Sequence, residues 1–179
     1  MSEYKVSNRY AKSLLELSHD KNVLDKVYED IQLLLETLKE NRNLRVMLQS
    51  PIIKHSKKKE VLRAVFSNKL NNLTQSFLDI LCNKSREYLL YSILQEFNVM
   101  YNELKGIQAA DITTTLPLNK ELRLKIEAVI REVSGKTLVK LTEQINPELI
   151  GGFVLKIGDR QIDDSVSGKI KKLRRNLLV

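Results

Sequence analysis

The side chains capable of chemistry are few and far apart. Cys82 is the sole cysteine, and His19 and His55 are the only histidines. A serine or cysteine nucleophile needs a base beside it, and both histidines fall on polar segments of helical period with no such neighbour. The three residues lack the spacing of a zinc site, and one cysteine cannot form an internal disulfide. Cys82 lies among Leu78, Ile80 and Leu81, which favours a packed thiol over a reactive one. His19 and His55 read as surface residues at helix ends.

Two further clusters invite a chemical reading. Gly151-Gly152 followed by Gly158 is the nearest approach to a phosphate cradle, but the spacing is wrong and the pair precedes an alternating run instead of a helix. Glycine there permits a bend or a close backbone approach. Asp159, Asp163 and Asp164 resemble a carboxylate cluster with metal potential, yet a tight turn at Asp159 and a helix cap at Asp164 account for them. Hydrolysis, metal chemistry and cofactor binding are all disfavoured, so function is expected to lie in surfaces.

The 179 residues have room for one ordinary domain or two small ones. With 42% hydrophobic and 29% charged residues the composition is that of a soluble protein with a core. No apolar run approaches the roughly 20 residues that span a bilayer. The opening Met1-Ser2-Glu3-Tyr4-Lys5 lacks the apolar stretch of a signal peptide, so the chain is expected on the cytoplasmic side unless a partner anchors it.

A net charge of +8 raises the alternative of a basic helical adaptor for nucleic acid or an anionic membrane. The excess is spread out: residues 1–105 hold 17 basic and 13 acidic groups and residues 106–179 hold 13 and 9, which is +4 in each half. Only Lys57–Lys59 and the set Lys169, Lys171, Lys172, Arg174 and Arg175 are concentrated. Neither is interleaved with the aromatics that stack bases, so solvated helix faces explain both.

Periodicity divides the chain. None of the six glycines precedes Gly106. Before it, apolar residues recur at helical spacing: Val6, Tyr10, Leu14 and Leu17 in one stripe, then Leu24, Val27, Ile31, Leu34 or Leu35 and Leu38 in a second. A short helix over Leu44–Leu48 is closed by Ser50-Pro51. Ser56 is placed to cap a helix over Lys57–Phe66 with Val61, Leu62, Val65 and Phe66 inward. Asn71 or Asn72 starts a helix carrying Phe77, Ile80 and Leu81, and Leu89 or Leu90, Ile93 or Leu94, Phe97, Met100 and Leu104 form the last stripe. Six helices with short connections predict an antiparallel bundle over residues 1–105.

After Gly106 the period changes to two. Ala110, Ile112, Thr114 and Leu116 predict a strand ended by Pro117. Asn119 caps a helix with Leu122, Ile126, Val129 or Ile130 and Val133 on one face, and Ser134-Gly135 ends it. Val139 and Leu141, then Phe153, Leu155 and Ile157, give two more strands, with Gly158-Asp159 turning into a return strand around Gln161-Ile162. A final helix from Asp164-Ser165 carries Val166, Ile170, Leu173 and Leu177. Residues 106–179 thus form a small α+β domain, of a size that needs a neighbour.

The run from Ile145-Asn146-Pro147 through Gly151-Gly152-Phe153-Val154-Leu155-Lys156-Ile157-Gly158-Asp159 to Ile162-Asp163-Asp164-Ser165-Val166-Ser167-Gly168 resembles the C-terminal signature of the delta subunit of bacterial F-type ATP synthases. That family includes the mitochondrial oligomycin-sensitivity-conferring protein. The early Arg9-Tyr10-Ala11-Lys12-Ser13-Leu14 is similar to the family's opening helix, so the resemblance covers nearly the whole chain, least distinctively at residues 40–70. Where the family often has glycine before Ser-Val, this chain has Asp164, which bears on the cap of the last helix and the backbone geometry of the turn.

The resemblance implies a non-catalytic stator subunit without a cofactor, peripheral on the cytoplasmic face of the bacterial plasma membrane and present once per complex. It touches neither nucleic acid nor, except through the complex, the membrane. The N-terminal bundle of the family holds the N-terminal helix of an alpha subunit between its first and fifth helices. That groove carries over to Tyr10, Ser13 and Leu14 on one wall and Phe77, Ile80 and Leu81 on the other. These residue types serve equally as interior core, and Tyr10 and Ile80 are the preferred interface anchors. The C-terminal domain of the family binds the C-terminal end of the b-subunit stalk, which points to Gly151, Gly152, Gly158, Asp159, Ile162, Asp163, Ser165, Val166 and Gly168 as stalk contacts or as a signature of the fold.

Overall fold

The computed structural model describes residues 3–66 and 69–177, with side chains in the last helix described through Arg175. It contains two compact units, Met1–Tyr101 and Asn102–Val179, so the division falls in the last turn of the sixth helix, just before the change of period at Gly106.

The first unit is built from α1 (Glu3–Asp20), α2 (Leu24–Glu40), α3 (Arg42–Gln49), α4 (His55–Phe66), α5 (Asn72–Asn83) and α6 (Leu90–Leu104), with one 3-10 turn at Glu87–Leu89 ahead of α6. Its core is supplied chiefly by Val27, Ile31, Leu34 and Leu38 of α2 and by Leu90, Ile93, Leu94 and Phe97 of α6, all 1% exposed or less. Each such side chain contributes about 1.5–3 kcal/mol on burial. With no glycine available, the left-handed turns after α1 and α5 are made by Asn22 (φ 54°) and Ser85 (φ 55°). Asn71 caps α5 by accepting from the Leu73 N–H at 3.0 Å. The buried Asp30 of α2 holds the same turn, accepting from the Asn71 N–H at 2.8 Å and the Thr74 hydroxyl at 2.6 Å.

Helix α4 departs from the expected pattern. It starts at His55, so Ser56 is inside it and not its cap, and its buried line is Lys58, Leu62 and Phe66 while Val65 is exposed. A lysine can occupy that line because its charge is met. Lys58 Nζ donates to the Leu48 carbonyl at 2.7 Å and to Glu87 Oε1 at 2.8 Å, and His55 Nδ1 lies 2.8 Å from the same carboxylate oxygen.

The second unit is a four-stranded sheet in the order β2-β1-β3-β4. Strand β1 (Ile107–Thr114) pairs in parallel with β2 (Leu138–Ile145) across helix α7 (Lys120–Ser134). It pairs antiparallel with β3 (Phe153–Ile157), which turns back into β4 (Arg160–Asp163). Pairing Ala110 with Ile157 and Ile112 with Leu155 puts the inward residues of both strands on one face, where they meet Ile130 of α7. Leu116, expected within the first strand, lies beyond it and is 72% exposed; the Thr114 hydroxyl donates to its carbonyl in the turn that ends the strand. Of the expected α7 face only Ile130 is buried and Ile126 partly so, because a single helix seats only one ridge on the sheet; Leu122, Val129 and Val133 are exposed. The last helix, α8, spans Val166–Leu177, and the side chain of Leu177 lies outside the described residues.

Candidate functional site

Helix α1 turns its small residues inward. Ser7, Ala11, Leu14 and Ser18, spaced i, i+4, i+7 and i+11, form its buried line. The larger Tyr10 and Leu17 of the expected stripe sit at the edge of that line, with Leu17 43% exposed. Small inward side chains let α1 lie close to the bundle, and its apolar bulk is left facing α5.

The result is a groove of about 760 Å³ between α1 and α5. Tyr10, Ser13, Leu14 and Leu17 line one wall, and Leu73, Ser76, Phe77 and Ile80 line the other. Leu14 and Phe77, 2% and 8% exposed, form the floor, while Ile80 stands 49% exposed on the rim. The Tyr10 and Phe77 rings meet edge to face, centroids 6.3 Å apart. Arg86 donates to the Tyr10 hydroxyl at 2.9 Å and lies 5.4 Å from its ring centre, which fixes the ring at the mouth. Such a trough, apolar with a few polar groups, is what a helix-in-groove contact requires.

Five of the six residues expected here line this groove. Leu81 does not: it is 1% exposed and belongs to the core, because it lies one residue, or about 100°, beyond Ile80 around α5. Leu17, Leu73 and Ser76 join them as walls. Periodicity marks the stripe containing Leu17, but the line of small residues beside it decides which face is buried.

The residues of the C-terminal signature come together as an internal latch. Asp163 Oδ1 accepts from the Ser165 N–H at 3.0 Å and the Ser165 hydroxyl at 2.6 Å, and these two bonds hold the Asp163 carboxyl below the usual carboxylate range. The Ser165 oxygen in turn accepts from the Gly168 N–H at 3.0 Å. Ser165 is therefore the N-cap of α8, not Asp164, whose side chain pairs instead with Lys169 at 2.6 Å. The backbone closes the same knot, since Asp164 N–H donates to Phe153 O and Val166 N–H to Gly151 O, both at 3.0 Å. Gly152 has φ +75°, and a Cβ on it would stand 2.3 Å from the Asp164 carbonyl oxygen. A Cβ on Gly168 would stand 2.7 Å from the Asp163 carboxylate oxygens.

Part of the signature thus closes the start of α8: Ser165 is buried, and Gly151 and Gly168 are partly so. Gly152, Gly158, Asp159, Ile162, Asp163 and Val166 are its exposed members, Gly158 and Asp159 at the β3–β4 turn.

The other chemical candidates resolve into structure. Cys82 is 3% exposed, and burial, with Glu87 and Asp79 nearby, pushes its thiol up to about 11. The Lys57–Lys59 run is not a solvated basic face: Lys58 is buried against Glu87, and Lys59 lies 3.4 Å from Asp79, which also pairs with Arg63. Among the described residues no three of His, Cys, Asp and Glu gather as a metal site would require, and no helix is long and apolar enough to cross a membrane.

Residues 6–177 match the family model described as ATP synthase delta (OSCP) subunit. The chain is 38% identical over 174 residues to the ATP synthase subunit delta of Cytophaga hutchinsonii, covering 97% of this chain and 94% of that one. It is 34% identical over 178 residues to the protein of the same name from Lactobacillus johnsonii, covering 99% and 97%. Its fold is similar to that of a chain in the cryo-EM structure of the Toxoplasma gondii mitochondrial ATP synthase hexamer, with a TM-score of 0.74, 24% identity and 97% of each chain covered. A match over nearly the whole length makes the chain a member of the ATP synthase delta (OSCP) subunit family, a non-catalytic subunit of the peripheral stalk.

Proposed function

We propose that the α1–α5 groove holds the N-terminal helix of an alpha subunit and that the second unit receives the C-terminal end of the b-subunit stalk. The chain then ties the catalytic head to the stalk, once per complex, at the cytoplasmic face of a bacterial plasma membrane. As the rotor turns, the head experiences torque, and a joint built this way stops it from rotating too.

The observation that carries the reading is that α1 buries serine and alanine while Tyr10 and Leu17 line an open trough opposite Phe77 and Ile80. A helix bound there desolvates aromatic and aliphatic anchors together, and a few such anchors supply the roughly −12 kcal/mol of a nanomolar complex. Titration calorimetry with a synthetic alpha N-terminal peptide tests it. Tyr10→Ala is expected to weaken binding about tenfold or more with helicity intact, and unchanged affinity would remove the assignment.

A further inference from the structure

The exposed apolar residues of α8 stand on one line. Val166, Ile170 and Leu173 follow at four- and three-residue steps and are 40%, 52% and 63% exposed. This 4-3 spacing is the narrow seam of a two-helix contact, unlike the broad apolar face with which a helix covers a core or enters a lipid interface. All the charged residues of α8 are basic. At about 100° per residue, Lys169 flanks the seam by about 60° on one side and Arg174 by about 80° on the other. Arg174 has no carboxylate partner among the described residues, whereas Lys169 is held by Asp164.

A second feature converges on the same place. Ile150 has φ +66° and ψ −35°, a conformation that strains a β-branched residue, and its side chain is 68% exposed. The neighbouring Gly151 carbonyl accepts the Val166 N–H, so this strained isoleucine lies one residue from the start of the seam. The latch holds an apolar side chain in water beside an apolar line that is also in water.

We propose that α8 is the helix that meets the stalk, and that its occupant is an acidic amphipathic helix with apolar residues at heptad spacing. The apolar seam of that helix seats on Val166, Ile170 and Leu173, and its acidic flank faces Lys169 and Arg174. This rests on the reading that the second unit binds the stalk and narrows that reading to one helix and one partner chemistry. A second copy of this chain is a poor occupant, because it would set lysine and arginine against lysine and arginine along both flanks. The seam also lacks the aromatic residues and breadth of a lipid-seated helix.

The test is titration of a peptide spanning the C-terminal end of the b stalk of the same synthase onto the full chain, with circular dichroism to check folding. Ile170→Asp and Leu173→Asp, both at exposed positions, are each expected to lower affinity about tenfold or more, and Ile170→Leu to restore it. Arg174→Glu is expected to weaken binding and flatten its salt dependence. The groove variant Ile80→Asp leaves this titration unchanged. Folded Asp variants that bind as wild type overturn the seam while the stalk reading stands; a stalk peptide that fails to bind the wild-type chain overturns the stalk reading and the seam with it. Capture of the wild-type chain by phosphatidylglycerol vesicles, lost in Ile170→Asp with peptide binding intact, would make α8 a membrane face and overturn the proposal as well.

Discussion

Ile80 and Leu81 are adjacent in sequence on α5, yet Ile80 stands 49% exposed on the groove rim and Leu81 is 1% exposed in the core. One step of about 100° around a helix separates a side chain that a partner can reach from one that only the bundle can. The two positions therefore separate binding from stability.

Ile80→Asp is expected to lower affinity for the alpha N-terminal peptide about a hundredfold and to change unfolding free energy by less than about 0.5 kcal/mol. Leu81→Ala is expected to do the reverse, costing about 2–5 kcal/mol through the cavity it leaves. Calorimetry and urea unfolding on the same two variants check both halves.

The buried pair of Lys58 and Glu87 makes a pH-dependent contribution. Burial alone would raise the Glu87 pKa, but the bonds from Lys58, from its own backbone N–H and from His55 outweigh it and hold the carboxyl below its ordinary 4.5. A carboxyl depressed on folding stabilises fully above its unfolded pKa and loses that contribution as pH falls through the lower folded value. The stability difference between wild type and Glu87→Gln, measured by urea unfolding, is therefore expected to be largest near neutrality and to shrink below about pH 4.5. Lys58→Met leaves Glu87 buried beside only the half-exposed His55 and is expected to cost about 3–5 kcal/mol at pH 7.

Asp30→Ala removes the acceptor of both the Asn71 N–H and the Thr74 hydroxyl. A loss of about 2 kcal/mol is expected, with faster amide exchange in the first turn of α5 as the local signature.

Gly152→Ala forces a Cβ toward the Asp164 carbonyl at a residue with φ +75°. It is expected to destabilise the second unit by about 2 kcal/mol or more. Amide exchange should accelerate in β3, β4 and α8 while the helices of the first unit keep their protection.

Much of the architecture was legible because each element carries its own period. The six helical stripes and the change to alternation after Gly106 fall on the observed elements, and Asn119 caps α7 as its spacing suggested. What periodicity could not supply was the choice between neighbouring faces of one helix. Tyr10 and Leu17 define the α1 stripe, but Ser7, Ala11 and Ser18 are buried because close helix approach favours small side chains. Lys58 read as part of a solvated run since its partner Glu87 is 29 residues away and shares no pattern with it. At the signature, residue types announced a special backbone, while the exchange of the cap role from Asp164 to Ser165 depends on where Asp163 points, which is a tertiary fact.

A chain that grips two neighbours at separate surfaces must hold both at once. The decisive experiment adds the alpha N-terminal peptide to the full chain saturated with the peptide from the C-terminal end of the b stalk and follows both by sedimentation with distinct fluorescent labels. A single species carrying both labels is expected, each label lost independently by Ile80→Asp or Ile170→Asp. Mutually exclusive binding, or one variant abolishing both contacts in a folded chain, would rule out two separate grips.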